Sequence, residues 1–160
     1  MHWAHVHIAI NHVPVVGAVF GFLLLAYATW RKSPEVQRVS TGVLVLVGCS
    51  ALVAFLTGDP AGEALAGIAP GVSAELLERH CDLAALAMAS SLATGVCGLV
   101  ALAVSWRSKA VPRGLLAAAL ILSVVTLALM AWTANRGGMI RHPEVGPEPE
   151  ARAPAAPQAR

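Results

Sequence analysis

The sequence predicts an all-α protein: an integral membrane four-helix bundle, both termini on the periplasmic side, with a disordered C-terminal tail. Three observations carry that prediction. The 160 residues are 57% hydrophobic and only 12% charged, where soluble domains carry about a quarter charged residues. Four stretches are long and apolar enough to cross a bilayer, which takes about 20 helical residues. Basic residues crowd into alternate connections between those stretches. The net charge of +2 comes without a basic run, so nucleic acid is not an expected partner.

The first span is expected over residues 12–30. Asn11 reads as its cap, and Pro14 falls in a first turn, where proline is tolerated. Gly17 and Gly21 form a G-x-x-x-G that lets helix backbones approach closely. The second span is expected over residues 39–57, closed by a turn at Asp59-Pro60-Ala61-Gly62. Residues 58–79 hold Pro60, Gly62, Gly67, Pro70 and Gly71 and read as a loop with two short amphipathic pieces. The second piece, residues 73–78, is a short helix capped by Ser73.

The third span is expected over residues 83–106. Ala84, Ala87, Ser91, Thr94 and Gly98 recur at helical spacing along it. This small, weakly polar stripe reads either as close packing toward the bundle interior or as room for a flat cofactor. The fourth span is expected over residues 115–133. Trp30, Trp106 and Trp132 fall at span ends, where aromatic belts sit. Residues 1–142 thus form one domain. Residues 143–160, rich in Pro and Ala, form the disordered tail. The first basic residue is Arg31, so no basic n-region precedes the first span and the N-terminus reads as mature protein.

Orientation follows from lysine and arginine in short loops. Arg31, Lys32 and Arg38 follow the first span, and Arg107, Lys109 and Arg113 follow the third. Near the spans the opposite side holds Arg79, Arg136 and Arg141, and it has no lysine. The denser basic loops mark the cytoplasmic side. The expected location is the bacterial inner membrane, multi-pass, with the other face outward.

That outward face collects all six histidines, His2, His5, His7, His12, His80 and His142, and eight of the nine carboxylates. Histidine holds metals and haem iron and moves protons near neutral pH. His12 and His80 head parallel spans and are the leading candidates, because ionisable groups within spans are rare and usually functional. His5 shares a face with His12 only if helix begins before residue 5; His5 and His7 share one only if residues 2–8 are extended. Arg136 matches a carboxylate such as a haem propionate. Gly137 and Gly138 either admit a cofactor or turn the chain back to bring His142 inward. Cys49 and Cys97 lie mid-span and read as small buried hydrophobes, and Cys81 beside His80 is a lone thiol.

His7-x-x-x-x-His12-x-Pro14 resembles the opening of a family of small four-helix bacterial membrane proteins, the domain of unknown function numbered twenty-two thirty-one. Thr57-Gly58-Asp59 closing the second span, His80 opening the third, and Gly137-Gly138-Met139-Ile140-Arg141-His142 match further motifs of that family. The resemblance covers about residues 5–146. Ile8 stands where the family often has proline, and Pro143 where it has glycine. Relatives joined to Rieske or cytochrome-type modules imply redox company.

Three functions compete. The first is a redox subunit that binds haem b or a redox metal and exchanges electrons with a partner. Its axial ligands would be His12 and His80, or one of them with His142, and Arg136 would hold a propionate. The second is a copper or zinc binding protein using His5, His7, His12, His80 and His142. The third is a cofactor-free assembly or anchor subunit whose histidines make structural hydrogen bonds. A stand-alone enzyme is less expected: Ser90, Ser91 and Ser123 lie inside spans, away from the rim bases. Expected partners are membrane lipid, another redox or membrane protein, and a second copy of the chain as a homo-oligomer.

Overall fold

A computed structural model describes residues 3–68, 73–108 and 110–142. The helices are α1 (Trp3–Arg31), α2 (Pro34–Leu56), α3 (Gly58–Ile68), α4 (Ala74–Ser108) and α5 (Arg113–Arg141), and no strand occurs among the described residues. Four of them, α1, α2, α4 and α5, are long and apolar enough to cross a membrane. They form a ring in which α2 packs on α1 and α4, α4 packs on α5, and α5 closes on α1, while α3 lies against α1. His2, Pro70, Gly71 and residues 143–160, the expected disordered tail, lie outside the described residues.

The helices run longer than the apolar stretches. Nothing in Trp3-Ala4-His5-Val6-His7-Ile8-Ala9-Ile10-Asn11 breaks a helix, so α1 begins at Trp3. Asn11 is therefore not a cap, and Pro14 sits inside the helix, where its missing N–H leaves the Ile10 carbonyl without its usual donor. The expected turn at Asp59-Pro60 is instead the first turn of α3, where a proline gives up no intrahelical bond. One residue, Thr57, joins α2 to α3: its N–H donates to Val53 O at 3.2 Å, and its carbonyl accepts from Ala61 N at 3.3 Å. Ser73 does cap a helix, with Leu76 N donating to its Oγ at 3.4 Å. That helix is α4 itself, since Arg79-His80-Cys81-Asp82 contains no breaker. Helix α5 likewise continues through Gly137 and Gly138.

At the opposite end, α1 closes on Lys32 with φ 52°. Lys32 N donates to Thr29 O and Ser33 N to Ala28 O, the paired bonds of a Schellman stop. Ser33 then caps α2 through Val36 N, with Pro34 in the first turn. Arg38 reaches from α2 to the Ser105 carbonyl of α4 at 3.1 Å.

The interior is built from small residues. Gly21, Leu25 and Ala28 of α1, Leu44, Val47 and Gly48 of α2, and Ser91, Thr94, Gly95 and Gly98 of α4 are all buried. Large apolar side chains such as Phe20, Leu46, Leu56 and Ile121 face outward and are more than 60% exposed. The α4 stripe is close packing: a Cβ on Gly95 would lie 3.2 Å from Gly48 Cα, and one on Gly98 would lie 2.8 Å from Thr41 O. Interior hydroxyls bond to the preceding helical turn, as Ser91 does to Ala87 O at 2.6 Å. Thr126 of α5 also meets Ser90 at 2.8 Å and Thr94 at 2.9 Å on α4.

Gly48→Ala should cost about 1–3 kcal/mol, the usual penalty for overpacking, because its Cβ would lie 3.1 Å from Ser91 O and 3.2 Å from Gly95 Cα. Both obstacles are backbone, so the helices themselves must separate. Gly42→Ala, where a Cβ meets nothing within 4 Å, should gain up to about 1 kcal/mol of helix propensity. Thermal unfolding followed by helical circular dichroism checks the opposite signs.

Candidate functional site

The buried stripe of each long helix, extended toward the histidine end, selects the side chains that face inward there. On α1 the stripe is Ala28, Leu25, Gly21, Ala18 and Pro14, and two turns beyond Pro14 the same face carries His7. On α4 Ala87 leads in the same way to His80. On α5 Met130 is buried, and seven residues on the same face carries Gly137. Seven residues is close to two helical turns, so position on the helix face is kept. His7 and His80 lie outside the apolar stretches 12–30 and 83–106. They stand on helices across the diagonal of the ring, near enough that a charge on His7 acts on His80.

His7 closes the end of α2. Its Nδ1 lies 3.1 Å from Ala54 O and 3.1 Å from Thr57 Oγ1, while Thr57 Oγ1 donates to Ala54 O at 2.8 Å. Ala54 supplies one of the last four carbonyls of α2, which have no donor within their own helix. The Thr57 hydroxyl has given its proton to that carbonyl, so toward His7 it accepts. Both neighbours of Nδ1 are acceptors, and Nδ1 must carry the proton.

His80 repeats this arrangement on α5. Its Nδ1 donates to Thr133 O at 3.1 Å. A carbonyl inside a helix has a second lone pair, which accepts this donor beside the intrahelical bond. Gly137 leaves the space for it, since a Cβ there would stand 3.0 Å from His80 Cε1. Gly58 similarly faces His7, with its added Cβ at 3.8 Å from Cε1. In both rings the proton is fixed on Nδ1, so Nε2 keeps its lone pair.

The other candidates lie elsewhere. His12 is exposed, and its Nδ1 bonds within its own helix to Ile8 O at 2.6 Å, so it does not oppose His80. Because α1 begins before residue 5, His5 and His12 do share a face, and both are exposed. His142 is exposed beyond the end of α5, its N–H donating to Gly138 O at 2.8 Å. The two glycines are helical and do not turn the chain back. Arg136 is half-buried near Trp132, Asp82 and Arg79. Cys81 is exposed, and so is Cys49, which was expected to be buried; Cys97 is half-buried. Among the described residues no three His, Cys, Asp or Glu side chains converge to hold a metal ion.

Thr57 and Gly137 as partners of the rings, and His7 as the inward histidine of α1, are what the sequence reading missed. The signal was present in the stripe Pro14-Ala18-Gly21-Leu25-Ala28, which points to His7 once the helix is allowed to start early.

Scans against family models, curated proteins and solved structures return no match.

Gly137→Ala should displace the His80 ring and cost about 1 kcal/mol for the lost bond. Gly138→Ala, whose Cβ meets open space, should not. A thermal melt of each variant reads the difference.

Proposed function

We propose that the chain is a multi-pass protein of the bacterial inner membrane, its histidine end outward, and that His7 and His80 bind a redox-active transition metal there. On this reading it is a metal-binding, electron-transferring subunit for a partner protein, not a stand-alone enzyme. The lysine and arginine asymmetry of the loops supports the orientation. The motifs at the two ends support placing the chain with the four-helix family of unknown function described above. The observation that carries the metal reading is the pair of imidazoles whose Nδ1 atoms are held by backbone carbonyls. This is the usual outer support of a metal-ligating histidine, leaving Nε2 to the metal. Imidazole suits copper, zinc, iron and nickel, and copper is the redox-active choice among the copper and zinc first expected here. The remaining coordination positions fall to water or to the partner.

Haem b fits the described residues less well. The pair first expected as axial ligands is not brought together, because His12 points outward, and the α4 stripe expected to leave room for a flat cofactor is packed against α2 around Gly48 and Gly98. Arg136 is then free of a propionate role.

One observation favours a second reading, that of a cofactor-free assembly or anchor subunit. The same two rings tie α1 to α2 and α4 to α5, which is structural work in itself.

Calorimetric titration of the purified protein with Cu(II) and Zn(II), beside His7→Ala, His80→Ala and His12→Ala, separates the readings. The metal reading expects one site per chain, weakened about tenfold or more by either inward variant and unchanged by His12→Ala. A reduced-minus-oxidised absorption spectrum of the same material tests haem. No heat of binding, with lowered unfolding temperatures for His7→Ala and His80→Ala, would establish the cofactor-free reading.

A further inference from the structure

At the histidine end, α4 and α5 flank an open groove of about 260 Å³, lined by Arg79, Asp82, Leu83, Trp132 and Arg136. Arg79, Asp82 and Leu83 are three and four residues apart and form one rib of α4. Trp132 and Arg136 are four apart and form the facing rib of α5. Arg79 shares its charge with Glu75, an exposed pair one turn away. Arg136 is half-buried and makes no hydrogen bond or ion pair with another described residue. A guanidinium in that position, with five donors and no acceptor, selects an anionic oxygen group. Phosphate fits its planar fork.

Two further features narrow the ligand. Trp132 is about half exposed and sits where a tryptophan marks the membrane–water boundary, one turn below Arg136. Leu83 continues the apolar floor, and Leu86, one turn further along α4, is exposed. The groove therefore runs from guanidinium to apolar surface, as a lipid does from phosphate to chain. Asp82 shares the groove and repels a ligand that is only anionic. It accepts from a primary ammonium, whereas a quaternary ammonium has no proton to give.

We infer that this groove holds the headgroup of a phosphoethanolamine lipid, its phosphate on Arg136 and Arg79 and its ammonium on Asp82. The inference rests on membrane insertion as proposed above and does not depend on the metal. The lipid is a bound structural ligand of the α4–α5 edge, next to the helix that carries His80.

Full-length protein stripped of lipid in mild detergent tests the assignment. Its unfolding temperature is measured with phosphatidylethanolamine, phosphatidylglycerol, phosphatidylcholine or inorganic phosphate added. Phosphatidylethanolamine should raise it most, and phosphate alone should leave it unchanged. Arg136→Gln should weaken the response about tenfold in lipid concentration. Asp82→Asn should erase the preference over phosphatidylglycerol, and it keeps the test open should Arg136→Gln not fold. Equal shifts from all three lipids, an equal shift from phosphate, or a full response in Arg136→Gln would overturn the assignment. Alkaline carbonate extraction of membranes keeps the two proposals apart. Release of the chain by carbonate refutes membrane insertion, while retention with no lipid preference refutes the headgroup site alone.

Discussion

The arrangement of the bundle depends on how closely α2 and α4 approach. At Gly48 and Gly95 the two backbones touch, with a Cβ on either meeting the other's Cα at 3.2 Å. Ordinary helix pairs stand 8–10 Å apart because side chains separate them. Here no side chain intervenes, and the attraction comes from close van der Waals contact over many small atoms. Many of the large apolar groups face outward, while Leu25, Leu44 and Val47 fill the interior beside the contact. Gly98 beneath Thr41 and Gly21 against Leu44 extend the same contact to either side. Helix α2 is thereby fixed against both α1 and α4.

That fixed contact places the histidine end. With α2 in register against α1, the α2 terminus at Ala54 and Thr57 arrives beside His7. With α4 in register against α5, Thr133 and Gly137 arrive beside His80. Each ring then satisfies a carbonyl of a neighbouring helix, and the two rings come within electrostatic reach of one another. The same hydrogen bonds that staple the helices also fix which nitrogen is protonated. Structure and candidate chemistry therefore use opposite sides of the same imidazole, Nδ1 for the fold and Nε2 for a ligand.

Much of the fold was legible in the sequence. Four apolar stretches of spanning length gave four long helices, and Ala87, Ser91, Thr94 and Gly98 of the α4 stripe are buried, with Ala84 half-buried at its end. The helix ends were not legible from hydropathy, because helix α1 continues for nine residues before residue 12 through a segment that is polar enough to read as a rim. That error carried into the site. With helix assumed to begin near Asn11, His12 stood in the first turn and looked inward. With helix from Trp3, the buried face runs through Pro14 to His7, and His12 lies on the outside. Pro14 misled for a physical reason, since a proline inside a helix costs one hydrogen bond but does not have to end it. The glycines at 137 and 138 misled in the same way. Gly137 serves a close approach of the His80 ring and no turn. Thr57 carried no signal in spacing or hydropathy, because its part depends on where α2 stops.

The central claim is that His7 and His80 face inward as a pair, each protonated at Nδ1 with Nε2 open, while His12 does not take part. Nitrogen-15 NMR of the imidazoles, in protein labelled only at histidine and recorded before and after one equivalent of Zn(II), tests it directly. Single His→Gln variants assign the signals. The account predicts Nδ1–H tautomers for His7 and His80 above neutral pH, and metal-induced shifts at the Nε2 atoms of these two alone. Nε2–H tautomers at either ring, or a response at His12 in place of His7, would contradict it.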